Sequence, residues 1–240
     1  MNHAVTRSDS RQQPSGAPLG RSRRRGWIFP AIALSLFSLL GVAVYRANQP
    51  YFDWDLAISH SVQGISWVGL ESLLRGVCLA DNDLLQAAFL VAGVGLVFAA
   101  RGAWREAAIL VGVVVVAQGL CALSGQLVGR PRPSTELIQL RIDPKEIEGF
   151  PSFPSGHTVH YTAFFGFLGF LALTRVKPPA LCWPLASVLG GLVLLVGPAR
   201  IYLGAHWLSD VMGGYLLGGA VLASGVHLYR RWSIGGGYPE

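Results

Sequence analysis

Residues 107–129 read AAILVGVVVVAQGLCALSGQLVG, 23 positions without one charged side chain. A helix rises 1.5 Å per residue and the hydrocarbon core of a bilayer is about 30 Å thick, so about 20 apolar residues make one crossing. This stretch is long enough to span. Working outward from it, five more charge-free runs appear, at 27–45, 84–100, 158–174, 180–199 and 211–229. The six together cover 115 of 240 residues. Only 13% of the chain is charged, against about 25% in soluble domains. That excludes an ordinary water-soluble globule, and disorder over most of the length. The expected fold is all-α, a six-span transmembrane helical bundle.

The basic stretch 21–25 before the first run has the order of parts of a signal peptide. However, the apolar run exceeds a 7–15-residue signal core and no small-x-small site follows it, so it is read as a retained span. Orientation follows from the distribution of Arg and Lys. With the N-terminus inside, the inner segments hold twelve basic and three acidic residues, a net +9. The outer segments hold seven basic and ten acidic, a net −3. Both termini are therefore expected on the cytoplasmic side. The overall charge of +6 and pI near 9.6 then report topology, and no aromatic–basic motif suggests nucleic acid.

Residues 1–20 read as a disordered cytoplasmic tail, 21–232 as the membrane domain and 233–240 as a cytoplasmic tail. In the first outer loop, 46–83, Ile58, Val62, Ile65, Val68, Leu70 and Leu73 recur at roughly helical spacing. That pattern predicts an interfacial amphipathic helix lying on the membrane surface. Cys78, Cys121 and Cys182 form neither a metal pattern nor a disulfide framework, and read as buried free thiols.

Ionisable groups at span ends are costly and usually functional, and three clusters fall on the outer side. They are Arg130-Pro131-Arg132-Pro133, Pro154-Ser155-Gly156-His157-Thr158, and Arg200 with His206 and Asp210. Ser155 stands at a helix start, whose free N–H groups and positive dipole end attract anions. Arg132 and Arg200 carry permanent planar charges that match phosphate oxygens two at a time. His206 and Asp210 are four apart and share a helix face, so the carboxylate can hold the imidazole in one tautomer. His157 heads another helix, free to deliver a proton. Two imidazoles, two guanidiniums and an N-terminal nest describe a phosphoryl-transfer site.

These three ordered clusters resemble the signature motifs of the type 2 phosphatidic acid phosphatase superfamily. Pro154-Ser155-Gly156-His157 is similar to its second motif and Arg200-x5-His206-x3-Asp210 to its third. Arg132-Pro133 matches the end of its first motif, Lys-x6-Arg-Pro. Two positions depart from the pattern: Gly125 stands where the family has Lys, and Ala199 where it has Ser. The resemblance implies a lipid phosphatase with no metal and no cofactor; the charge count puts its site at the outer face of the membrane, and the compact chain without a targeting signal reads as a bacterial inner-membrane protein. Its substrate would be phosphatidic acid, phosphatidylglycerol phosphate, undecaprenyl pyrophosphate or a lipid A phosphate. It further implies His206 as the nucleophile that becomes phosphohistidine, Asp210 as its orienting partner and His157 as the acid for the leaving oxygen. Arg132, Arg200, Ser155 and Gly156 would bind the phosphate. Arg130 is either a substitute for the missing cation or a headgroup anchor. Two other readings stay open: a phosphotransferase using the same site, and, from Gly125 and Ala199, a catalytically impaired lipid-binding protein.

The remaining polar residues have plainer readings. His160 shares a face with His157 and would pack or line the pocket. His60 and His227 would meet solvent or headgroups. Arg141, Lys145, Glu146 and Glu148 form a solvated loop or select a headgroup. Trp27, Tyr45, Trp67, Trp207, Tyr229 and Trp232 fit an interfacial belt. Gly190-Gly191, Gly213-Gly214 and Gly218-Gly219 would permit close helix approach.

Overall fold

A computed structural model describes residues 26–47, 49–81, 84–144 and 149–235. The N-terminal tail and Lys145, Glu146 and Glu148 lie outside the described residues. Among the described residues eight α-helices follow in order: α1 Ile28–Arg46, α2 Asp53–Gln63, α3 Leu70–Cys78, α4 Leu84–Ala100, α5 Trp104–Val128, α6 Gly156–Arg175, α7 Pro179–Tyr202 and α8 Leu208–Gly235. A short 3₁₀ turn, Leu79–Asp81, follows α3. No strand occurs among the described residues. Each of the six charge-free runs falls within or within a residue or so of one long helix.

Four of these helices are long and apolar enough to cross a membrane: Ile28–Arg46, Trp104–Val128, Pro179–Tyr202 and Leu208–Ser233. A bent pair, Leu70–Asp81 with Leu85–Ala100, makes a possible fifth. α6 has the length, 20 residues, but its first two turns carry His157, Thr158, His160, Tyr161 and Thr162. Its apolar side chains face the interior, because α5, α7 and α8 all pack against it. Large apolar side chains on the outer helices point outward instead, among them Phe89, Leu127 and Leu194. Water would not tolerate an apolar surface of that extent on a monomer.

Local chemistry sets the helix ends that matter. α5 stops at Gly129, whose φ of 62° is the left-handed cap that glycine adopts without penalty, and Pro131 and Pro133 prevent resumption. α8 approaches α6 closely because a Cβ on Gly214 would lie 2.7 Å from Thr158 Cβ, and one on Gly218 2.8 Å from Thr162 Cβ. Gly190 and Gly191 have no neighbour at that range, so the expectation of close approach holds for α8 and not for α7.

The first outer loop differs from the single helix expected. Gly69, with φ of 91°, separates two helices, and the first of them packs its polar face on protein where solvent was expected. The residues α2 buries are Asp55, Ser59 and Gln63, a polar stripe at four-residue spacing, while Ile58 is exposed. α3 does bury Leu74, Val77 and Cys78, and a small apolar cluster joins Leu74 and Cys78 to Tyr202, Leu203 and Ala205. Two of the expected belt aromatics are also internal. Trp207 is fully buried beside Tyr51, and the Tyr229 hydroxyl donates to Glu106 at the opposite end of the bundle.

Candidate active site

The three polar clusters meet at one end of the bundle, tied together through their backbones. The Ser152 N–H donates to the Arg130 carbonyl at 2.8 Å, and the Ser155 N–H to the Asp210 carbonyl at 3.0 Å. The Arg141 N–H donates to the Leu203 carbonyl at 3.0 Å. Gln63 of α2 bonds both Gln139 and Tyr202, which docks the outer helix on the same assembly.

His206 lies between α7 and α8 and is 1% exposed. Its Nε2 is 3.1 Å from Arg132 Nη1. A guanidinium only donates, so Nε2 presents its lone pair and the ring proton sits on Nδ1. That nitrogen faces Asp210 Oδ2 at 3.6 Å, an electrostatic contact longer than a hydrogen bond. Asp210 is pinned from other directions. Its Oδ2 accepts the Trp207 N–H at 2.9 Å and the Ser152 hydroxyl, and its Oδ1 accepts Arg130 Nη1 at 2.5 Å. Burial, and then the Arg132 charge, push the His206 pKa down to about 3; Asp210 opposes that shift without reversing it. The ring is neutral near pH 7.

Arg132 is half-buried and also donates to the Phe150 and Ala205 carbonyls. Burial and the neighbouring Arg200 cation lower its pKa to about 10, which leaves it charged at neutral pH. Arg200, in the last turn of α7, is 6% exposed and its Nε has no partner. A buried guanidinium nitrogen left unbonded is costly, and an anion would satisfy it.

His157 stands in the first turn of α6, within the electrostatic reach of Arg200, His206 and Arg132. Its Nδ1 is 3.9 Å from Asp81 Oδ2, and its Nε2 is buried without a partner. Ser155 occupies the N-cap position as expected, but its hydroxyl accepts from Thr158 Oγ1 at 3.0 Å and caps no backbone N–H. The first-turn N–H groups of α6 therefore keep their free donor capacity.

Other expected residues are placed differently. Arg130 was expected to bind phosphate or a headgroup, yet it is 5% exposed and committed to Asp55, Asp210, Ser209 and the Pro50 carbonyl. His160 packs on Phe164 and, with Gln118 and α4–α5 side chains, lines a separate apolar cavity of about 320 Å³. His60 contacts the Leu137 carbonyl and His227 packs on Trp27. Arg141 pairs with Glu71 and lies over the Tyr202 ring. A cavity of about 810 Å³ opens beside Arg132, lined also by Gly125, Ser134 and Phe150. A Cβ on Gly125 would lie 2.9 Å from Pro151 Cγ, which gives the departure from Lys a packing reason. Sequence reasoning missed Asp55, Asp81, Ser152 and Ser209. The Asp55, Ser59, Gln63 spacing was the one signal available; nothing marked the others. Among the described residues no three His, Cys, Asp or Glu side chains are grouped as metal ligands would be.

Residues 106–234, just over half the chain, match the sequence profile of the PAP2 superfamily. The chain belongs to the PAP2 superfamily. All three clusters lie inside the matched region. Two solved structures share the fold. A transmembrane PAP2-type phosphatidylglycerolphosphate phosphatase from Bacillus subtilis superposes with a TM-score of 0.69 at 22% identity, over 88% of this chain and 98% of that one. Aquifex aeolicus LpxE superposes with a TM-score of 0.50 at 18% identity, over 74% of this chain and 96% of that one. No curated protein matches the chain by sequence. With its apolar helices, this PAP2 member is an integral membrane protein.

Proposed function

We propose that this PAP2 member is a metal-independent lipid phosphatase whose six long helices cross a bacterial inner membrane. Both termini lie in the cytoplasm and the pocket opens on the periplasmic side, as the charge distribution favours. The exposed apolar edge of α2, α3 and the turn between them, including Ile58, Val68 and Leu73, rests at the outer interface. The substrate is a phosphate monoester or pyrophosphate of a lipid. Phosphatidic acid, phosphatidylglycerol phosphate, undecaprenyl pyrophosphate and lipid A phosphates are the classes to assay, and the first superposed structure draws attention to phosphatidylglycerol phosphate.

One observation carries the reading: His206 is neutral, with its Nε2 lone pair facing the Arg132 guanidinium and its Nδ1 backed by an anchored carboxylate. In the reaction, phosphate oxygens take up the charges of Arg132 and Arg200 and the first-turn N–H groups after Ser155, around Gly156. Nε2 attacks phosphorus as the bond to the lipid oxygen breaks, and His157 gives that oxygen its proton. The phosphorylated ring is cationic and Asp210 stabilises it. Water then attacks phosphorus, passes a proton to His157, and phosphate leaves with Nε2 free. Charge stabilisation and positioning supply most of the acceleration in such a transfer.

The test is phosphate release by the purified protein in detergent across the four lipid classes. Loss of an activated nucleophile lowers turnover by about 10⁴–10⁶-fold, and His206→Ala should do so while still inserting and folding. An acid-labile phosphoryl label should appear on the native chain and not on the variant. Near-full turnover by His206→Ala would exclude this reading.

A further inference from the structure

The outer helix α2 carries a buried carboxylate that the reaction just described does not use. Asp55 is 0% exposed. Its Oδ1 accepts the Ser209 N–H at 2.8 Å, and its Oδ2 accepts the Ser209 hydroxyl at 2.7 Å and Arg130 Nη2 at 2.8 Å. The Phe52 N–H closes the cluster at 3.2 Å from Oδ2. Arg130 in turn gives Nη1 to Asp210 at 2.5 Å and to Ser209 Oγ at 2.6 Å, and Nε to the Pro50 carbonyl at 2.9 Å. One guanidinium is thus shared by two carboxylates, and its planar fork fits that bridging task as no lysine would. Ser152 and Trp207 hold the other oxygen of Asp210.

Burying two carboxylates and one guanidinium away from water is a costly way to join a loop to a helix, and well-packed apolar groups would serve stability as well. The arrangement has a chemical consequence instead. The cluster holds one more negative than positive charge, and it lies on the Nδ1 side of His206, while Arg132 meets the Nε2 side. We infer that Asp55 is a positioning residue of the reaction: through Arg130 it fixes Asp210 and keeps that carboxylate from being neutralised, so that Asp210 can face the cationic phosphohistidine. This rests on the lipid phosphatase reading. It makes the first outer helix part of the active site, 75 residues away in sequence from the arginine it holds.

The experiment compares Asp55→Asn with the native protein and with His206→Ala, using the most active lipid from the panel and orthovanadate as a phosphate mimic. Misplacing a catalytic group from outside the site costs about 10- to 100-fold. Asp55→Asn should lower kcat and the single-turnover rate of phosphohistidine formation by that factor. KM and vanadate affinity should stay within about twofold of native, a split that a general loss of packing would not produce. Asp55→Glu should recover part of kcat, and Arg130→Lys, which keeps charge but loses the fork, should not. If Asp55→Asn unfolds, Ser209→Ala, which removes one clamp on the carboxylate and leaves the ion pair, should show a smaller kcat loss with unchanged vanadate affinity. Native kcat in Asp55→Asn, or kcat and vanadate affinity falling together, overturns the inference. An active His206→Ala would overturn the phosphatase reading instead, so the two failures are distinct.

Discussion

Replacing Arg132 by Gln removes the cation that faces the His206 lone pair, together with its bonds to the Phe150 and Ala205 carbonyls. Two effects follow, and they separate by pH. At neutral pH the variant loses charge-assisted bonds to phosphate, each worth about 1.5–3 kcal/mol, so kcat/KM should fall roughly 10- to 150-fold. The second effect concerns protonation. His206 is held at about 3, against an ordinary 6.5, first by burial and then by Arg132. Without the Arg132 charge only burial and the weaker influence of the Arg200 cation remain, while Asp210 still favours the protonated ring. The pKa therefore rises, to a value between about 3 and 6.5. A protonated Nε2 is no nucleophile, so activity is lost as pH falls through that value. In the native protein His206 contributes no decline near pH 6; in Arg132→Gln the acid limb should move upward from about pH 3. Asp210→Asn removes the charge that opposes the shift, so its limb should move the other way. The same sign governs folding, because below pH 6.5 the unfolded chain gains a proton on His206 that the native site refuses. The assay is kcat/KM against pH with a short-chain lipid phosphate. Coincident acid limbs in native protein and Arg132→Gln would refute the electrostatic account.

Three further outcomes are expected. Gly214→Ala places a Cβ 2.7 Å from Thr158 Cβ and 2.9 Å from the Ser155 carbonyl oxygen, so α8 must move off α6. Overpacking costs about 1–3 kcal/mol, and both thermal stability in detergent and kcat should drop, whereas Gly190→Ala should leave both unchanged. Gly125→Lys, which restores the family residue, should lower activity, because its Cβ meets Pro151 and displaces the neighbouring Ser152 from Asp210; increased turnover would show that the loop yields. Tyr229→Phe, at the opposite end of the bundle, deletes the hydroxyl that bonds Glu106 at 2.7 Å. It should destabilise by about 1–3 kcal/mol with kcat unaltered, measured as a melting shift beside a turnover assay.

How far the chain could be read from sequence depended on whether the signal was local. The six long helices were legible because a charge-free run of sufficient length leaves few alternatives. The site was legible in its parts, since Arg132, Ser155, His206 and Asp210 stand beside prolines, glycines and span ends that mark their positions. The outer helix was legible on one face only. Ile58 and Ile65 are exposed, as side chains laid on a membrane surface would be, but that reading put solvent behind them, whereas α2 has protein there and buries Asp55, Ser59 and Gln63. A polar stripe wins that contest only when partners wait, and those partners are Ser209, Arg130 and Gln139, set by packing that no window of sequence contains. Trp207 and Tyr229 failed as belt residues for the same reason, each having found an internal contact. Asp81 reaches His157 across the fold, a proximity with no trace in spacing.

The two sides of the His206 ring suggest how one site can favour both halves of a phosphoryl transfer. Arg132 and Arg200 hold positive charge toward Nε2, and the carboxylates around Arg130 leave an excess of negative charge toward Nδ1. Before reaction the cations are matched by the incoming phosphate and the ring needs no charge. After attack the ring carries a positive charge, and the carboxylate side answers it without any atom having to move far. Fixed charges that need no reorganisation are what make such a site effective. The two sides should therefore fail differently. Arg200→Ala should weaken vanadate binding at least tenfold, because one of the buried groups that an anion satisfies is gone. Asp210→Asn should leave vanadate binding near native and slow phosphohistidine formation by several orders of magnitude. Equal losses of binding in the two variants would mean that the ring is not polarised in the way its neighbours imply.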